Sequence, residues 1–267
     1  MDTIALNFDS LTLLSNLSTY PKSPFPQVRI PFISSTCRRI SKPFISSTIS
    51  TMAHTHSAQS PVIEQQRMII PNKHGEKLVG LLHETESKEI VILCHGFKST
   101  KDYNTLTNLA AALEKEGISV FRFDFAGNGE SEGSFQYGNY YREADDLHAV
   151  LQHFSGENRV VSAILGHSKG GVEYRVTEEA LMDSLRTDMH EACLKIDKEC
   201  RVLTVHGSAD EINSVEDALE FAKVIPNHQL HIIEGANHGY TSHQNELAST
   251  VVKFIKSALE QDEVSSK

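Results

Sequence analysis

Ile164-Leu165-Gly166-His167-Ser168-Lys169-Gly170-Gly171 ends an apolar run in the pattern G-x-S-x-G. A serine in this pattern sits on a sharp strand-to-helix turn in strained backbone, so only small residues can stand two positions to either side, as Gly166 and Gly170 do. The turn lifts the hydroxyl clear of the sheet, and the amides of the helix expected after it offer partial positive charge where an oxyanion would form. A serine so placed needs a base and an acid to orient that base. Two later segments supply candidates in the order serine, acid, histidine. Arg201 to His206 is a short apolar strand whose small-residue loop, Gly207-Ser208-Ala209-Asp210, ends in a carboxylate. Leu230 to Ile233 is another strand, followed by Glu234-Gly235-Ala236-Asn237-His238-Gly239. The implied chemistry is two-step acyl transfer, with Ser168 as nucleophile, His238 as base and Asp210 as orienting acid.

Each assignment has competitors. The chain holds fourteen histidines, so position must select the base, and only His238 follows the last strand in a glycine-flanked loop. His206 ends a strand, where packing is the expected role, while His228, His231 and His243 fall at strand or surface positions. Glu211 adjoins Asp210 and is a second candidate acid. Ser168 alone could be a helix cap, and the downstream motifs are what favour the nucleophile.

Together these residues resemble the α/β-hydrolase superfamily, and within it the lid-bearing serine esterases, cinnamoyl esterases and monoacylglycerol lipases, including their plant relatives. The resemblance runs from about Gln66 to Leu259 and includes two further motifs. Cys94-His95-Gly96-Phe97 is similar to the loop whose amide completes the oxyanion hole, and Phe123 to Ser131 is similar to the family's glycine-rich loop. The resemblance implies that the backbone amides of Phe97 and Lys169 bind the oxyanion, that His95 and His167 line the site, and that the substrate is a small carboxylic ester. It implies no cofactor, and no metal site is expected. Two departures stand out. Where the family often has Val-Pro after the acid, this chain has Ile212-Asn213. More seriously, Ser168 and Asp210 are only 42 positions apart, too few for the helix, strand and lid normally found there. One strand and the lid are therefore expected to be missing. The alternative function is then a hydrolase-fold protein that is inactive or reduced to ligand binding.

The elements that must position these groups are legible as alternating strands and amphipathic helices. Arg67–Ile70 and Lys77–His83 read as a lead-in hairpin around the turn residues Asn72 to Gly75. Glu89–Leu93, Ile118–Phe123 and Val160–Leu165 read as buried strands. Leu106, Leu109, Ala110 and Leu113 mark one helix face, and Leu147, Val150, Leu151 and Phe154 another. Gly171–Val176 alternates like a strand, and a stripe from Thr177 through Leu181, Leu185, Met189, Ala192 and Ile196 reads as a helix. Ser214 is the expected cap of a helix with Leu219, Ala222 and Ile225 inward, and Leu247, Val251, Ile255 and Leu259 stripe the last helix. This alternation predicts an α/β fold, a mostly parallel sheet with helices on both faces.

A net charge of −10 repels phosphate backbones and argues against nucleic acid as a partner. No run is long enough for stable membrane insertion. The four cysteines show no disulfide-scaffold spacing, which suits a reducing compartment. The first fifty residues differ in kind: Ser10 to Ile63 contains no Asp or Glu, and six of the eight prolines fall in this stretch beside many Ser and Thr. That composition predicts a transit peptide or disordered tail over 1–52, a hydrolase domain over 66–259 and a polar tail over 260–267. Plastid targeting is the expectation, with a mitochondrial destination or a cytoplasmic product starting at Met52 as alternatives.

Overall fold

The structure, a computed structural model, describes residues 4–8, 65–138, 140–157, 159–168 and 189–265. A short strand β1 (Ile4–Phe8) precedes a hairpin of β2 (Gln65–Pro71) and β3 (Lys77–His83). There follow β4 (Glu89–Cys94), α1 (Asn104–Lys115), β5 (Ser119–Phe123), α2 (Tyr140–Gly156) and β6 (Val160–His167). The chain continues through α3 (Met189–Leu194), β7 (Val202–Gly207), α4 (Val215–Val224), β8 (His228–Ile233) and α5 (Gln244–Ser265). The strands form one sheet in the order β2-β3-β5-β4-β6-β1-β7-β8. Only the lead-in strands pair antiparallel, β2 with β3 and β3 with β5.

Period-two alternation sends successive strand residues to opposite faces, and the helices cover both. Val91 and Leu93 of β4, Leu203 and Val205 of β7 and the apolar stripes of α1 and α5 share one core. Ile90 and Ile92 of β4, Phe121 and Phe123 of β5 and Leu147, Val150 and Phe154 of α2 form another. Burial on both faces is why β4 reads as an unbroken apolar run, with Ile90, Val91, Ile92 and Leu93 all fully enclosed. A smaller cluster joins Cys193 and Ile196 to Val202 and Ile225 and supports the acid-bearing strand.

Three sequence expectations need correcting or completing. In α4 the inward residue is Ala218, while Leu219 is 45% exposed. Ile225 is buried as expected, while Ala218 and the partly buried Phe221 take the inward places expected of Leu219 and Ala222. Ser214 occupies the cap position with extended backbone, but its hydroxyl donates to the Glu216 carboxylate and accepts no hydrogen bond from the helix amides. Among the described residues, the chain from Gln65 onward supplies seven strands, in keeping with the brief Ser168 to Asp210 connection. The gap is not open. Ile4–Phe8, inside the segment expected to lie outside the fold, pairs parallel with β6 on one side and β7 on the other. The expected strand over Gly171–Val176 and the helical residues Thr177, Leu181 and Leu185 lie outside the described residues.

Candidate active site

Parallel strands deliver their C-terminal loops to one sheet edge, and the reactive groups stand on three of these loops. Ser168 directly follows β6, His238 lies in the loop after β8, and Asp210 closes the turn after β7. Ser168 has φ +37°, a left-handed conformation that a residue with a Cβ adopts only when its surroundings hold it there. Those surroundings include the loop after β4. The Phe97 amide donates to the Ser168 carbonyl at 3.0 Å, and a Cβ on Gly96 would stand 2.0 Å from that carbonyl oxygen. Glycine at 96 is thus what lets the two loops touch. Gly207 plays the same part between the acid and histidine loops, where a Cβ would stand 2.3 Å from the Ala236 carbonyl. That approach allows the Ala209 amide to bond Ala236 and the Ser208 amide to bond Ile233.

His238 bridges the other two groups, with Nε2 2.6 Å from Ser168 Oγ and Nδ1 2.8 Å from Asp210 Oδ2. An ionised Asp210 accepts from Nδ1–H, which leaves Nε2 as the acceptor of the serine proton. The Asp210 side chain is only 1% exposed. Burial pushes its carboxyl up, but hydrogen bonds from the Asn213 amide, His238 and the Ile212 amide outweigh this and hold it below the ordinary carboxylate range. Glu211, the rival acid, accepts from the His238 backbone amide at 3.2 Å instead of facing the ring. Asp210 and Glu211 thereby hold one histidine at two points.

Behind the triad, His167 is buried, with Nε2 3.3 Å from the His238 carbonyl and its ring 5.0 Å from that of Tyr103. Burial, then the nearby His238 charge, lowers its pKa to about 4, so its ring is neutral at physiological pH. His95 ties the loops together. Its Nδ1–H donates to the Gly96 carbonyl at 2.8 Å and its Nε2 accepts the Phe125 amide at 3.1 Å. Of the two expected oxyanion donors, the Phe97 amide is engaged by Ser168 as described, and Lys169 lies outside the described residues.

Two supports were not read from the sequence. Asp124, wholly enclosed, accepts the Lys101 amide at 2.6 Å, the Lys101 ammonium at 2.8 Å and the Glu130 amide at 3.0 Å, which pins the loop after β4 to the loop after β5. Phe97 forms edge-to-face contacts with Phe135 and Tyr137, at 5.4 and 5.5 Å between ring centres. The signal for the first was a carboxylate immediately after a buried strand; the second joins residues distant in sequence and left no local signal.

The sheet, its helices and the Ser168–His238–Asp210 contacts define an α/β-hydrolase fold carrying a serine-hydrolase arrangement. Comparison with known proteins agrees. A family model described as serine aminopeptidase, S33, matches residues 85–177, the part containing the serine but neither the acid nor the histidine. Protein phosphatase methylesterase 1 of Candida albicans is 29% identical over 101 residues, which span 38% of this chain and only 28% of that protein. Among solved structures, the esterase Est1E from Butyrivibrio proteoclasticus, with ferulic acid bound, superposes with a TM-score of 0.64 at 18% identity, covering 72% of this chain and 99% of that one. The Pyrococcus furiosus esterase Pf2001 gives 0.62 at 21% identity, covering 75% and 96%. A serine hydrolase homologue from Coxiella burnetii gives 0.55 at 21%, covering 73% and 99%. At these identities the likeness is one of fold.

Proposed function

We propose that this protein is a serine hydrolase acting on small carboxylic esters. The observation that carries the reading is His238, held by Asp210 on one ring nitrogen and in contact with the Ser168 hydroxyl on the other. His238 Nε2 takes the serine proton as Oγ attacks the ester carbonyl, then returns it to the departing alcohol, leaving an acyl-serine. Water, deprotonated by the same nitrogen, attacks the acyl-serine, and Ser168 is released with the carboxylic acid. The amides of Phe97 and Lys169 are the proposed oxyanion donors, so the Phe97–Ser168 bond must loosen or become shared as charge develops. The aromatic group of Phe97, Phe135 and Tyr137 beside that amide supports an apolar acyl or alcohol portion. The ferulic acid bound in Est1E is a ligand of that kind.

Ser168→Ala is expected to lower turnover of a short activated ester by roughly three to six orders of magnitude, and to abolish labelling by a fluorophosphonate. Retention of a tenth or more of the activity would overturn the assignment. A second reading rests on the occupied Phe97 amide: if that bond holds throughout, the fold has no working oxyanion hole and serves binding. Folded protein that neither takes the phosphonate nor turns over ester would establish it.

The acid-free stretch from Ser10 to Ile63 supports a further part of the proposal, import into plastids. Similarity to lid-bearing esterases and monoacylglycerol lipases is supported by the sequence motifs from Cys94 to Gly171.

A further inference from the structure

We propose that β6 and β7 flank a strand-accepting slot, and that the protein's own N-terminal segment Ile4–Phe8 fills it and holds the catalytic acid at its working distance. This rests on the hydrolase reading only for its consequence in catalysis. The chain leaves β6 at Ser168 and re-enters the sheet as β7 at Val202. A parallel crossover takes a dozen or more residues, usually with a helix, and this one contains α3. Among the described residues, none of this interval contributes a strand between β6 and β7. Yet β7 does not lie beside β6: it stands one strand further out, two spacings of about 4.8 Å away. Both inner edges would otherwise present unpaired backbone amides and carbonyls.

Ile4–Phe8 meets this need in direction, length and composition. It runs parallel to both neighbours, in register from Ile4 opposite Ala163 to Phe8 opposite His167, the residue before the nucleophile. On the other side Ala5, Leu6 and Asn7 stand opposite Val202, Leu203 and Thr204. Four of its five residues are apolar, as an interior parallel strand requires, whereas the following stretch is rich in Ser, Thr and Pro. Since β6 carries Ser168 and β7 carries Asp210, the inserted strand sets the separation that His238 spans. Collapse by one strand spacing would displace the acid by nearly 5 Å, where about 1 Å already costs on the order of a hundredfold in rate. Proteolytic processing anywhere between Phe8 and Gln65 that released the N-terminal piece would empty the slot, so import and processing would be coupled to loss of the strand.

Hydrogen exchange on the unaltered full-length chain tests occupancy directly. Amides of residues 5–8 are expected to be protected like those of β6 and β7; exchange at free-peptide rates overturns the proposal. Light scattering is expected to show a monomer, and a dimer exchanging N-terminal segments would overturn insertion within one chain. Leu6→Pro, which removes a donor inside the strand, is expected to lower Tm by about 10 °C, while Ser15→Pro changes it little. Deletion of residues 1–15 should lower Tm comparably, and a synthetic peptide of residues 1–12 should restore part of the loss with increasing concentration. An unchanged Tm in both variants sinks the proposal. Because exchange and melting need no substrate, a protected strand in a protein that fails phosphonate labelling refutes the hydrolase reading alone, and active protein with an unprotected segment refutes the strand alone.

Discussion

At the level of single residues, His167 shows how burial sets the charge of a side chain. Enclosed beneath the triad between Tyr103, Tyr240 and His238, it has a folded pKa of about 4 against an ordinary 6.5. Between those values the unfolded chain binds a proton that the folded chain refuses, so stability rises with pH through this window. The contribution is fully present above pH 6.5 and is lost as pH falls toward 4; the shift corresponds to on the order of 3 kcal/mol. Burial also lowers His83 and His228, which act in the same direction. Denaturant titrations at pH 4 to 7 should therefore show about one fewer proton taken up on unfolding in His167→Gln than in the parent. An identical slope would mean that His167 is charged in the fold. Asp210 and Glu211 hold His238 at different atoms, the ring Nδ1 and the backbone amide. Asp210→Asn should lower kcat by about 10⁴ through loss of the correct imidazole tautomer, whereas Glu211→Gln keeps an acceptor for the His238 amide and should change turnover only a few fold. Equal losses in the two would reassign the acid.

At the scale of elements, the loops after β4 and β5 act as a unit joined by Lys101 and Asp124. The ammonium is 3% exposed and the carboxylate is fully enclosed, with Glu130 also on the ammonium at 2.8 Å. Removing one partner of such a pair leaves a buried charge and costs about 3–5 kcal/mol. Lys101→Met should thus lower Tm by roughly 10 °C and weaken catalysis through the displaced Gly96–Phe97 turn. A Tm within 2 °C of the parent, read by calorimetry, would show that water replaces the ammonium at little cost. The same turn explains a second sensitivity. Gly96→Ala places a methyl against the Ser168 carbonyl, and the strained nucleophile must move. Phosphonate labelling is expected to slow at least tenfold, a difference of about 1.4 kcal/mol in barrier, and labelling at the parental rate would show that the loops separate freely.

For the whole molecule, the N-terminal fifty residues carry two proposals that pull against each other. Fused to a fluorescent reporter, residues 1–53 are expected to carry it into plastids with cleavage ahead of Gln65; a diffuse reporter of full length would count against import. Cleavage would remove Ile4–Phe8, so the mature chain should melt lower than the precursor. Comparing melting curves of the two forms decides whether the sheet needs the strand once the protein is in place. Among the described residues no helix is long and apolar enough to cross a membrane.

The sequence by itself determined the identities of Ser168, Asp210 and His238 as candidates, because a glycine-flanked elbow and apolar strands ending in small-residue loops are local patterns. It also determined most strands and helices, and the shortage of chain between serine and acid, which is a matter of counting. It could not determine which segment fills the resulting gap. Five residues just ahead of a Ser-, Thr- and Pro-rich stretch read as part of that stretch, and only the open edges of β6 and β7 single them out as a strand. The same holds for the contact of Glu211 with the His238 backbone amide, and for the phase of α4, which packs with Val202 and Cys193. The Phe97 amide, expected as an oxyanion donor, meets the Ser168 carbonyl because Gly96 allows the approach. Hydrogen-bond partners and strand neighbours far apart in the chain are chosen by tertiary geometry, and no local periodicity records that choice.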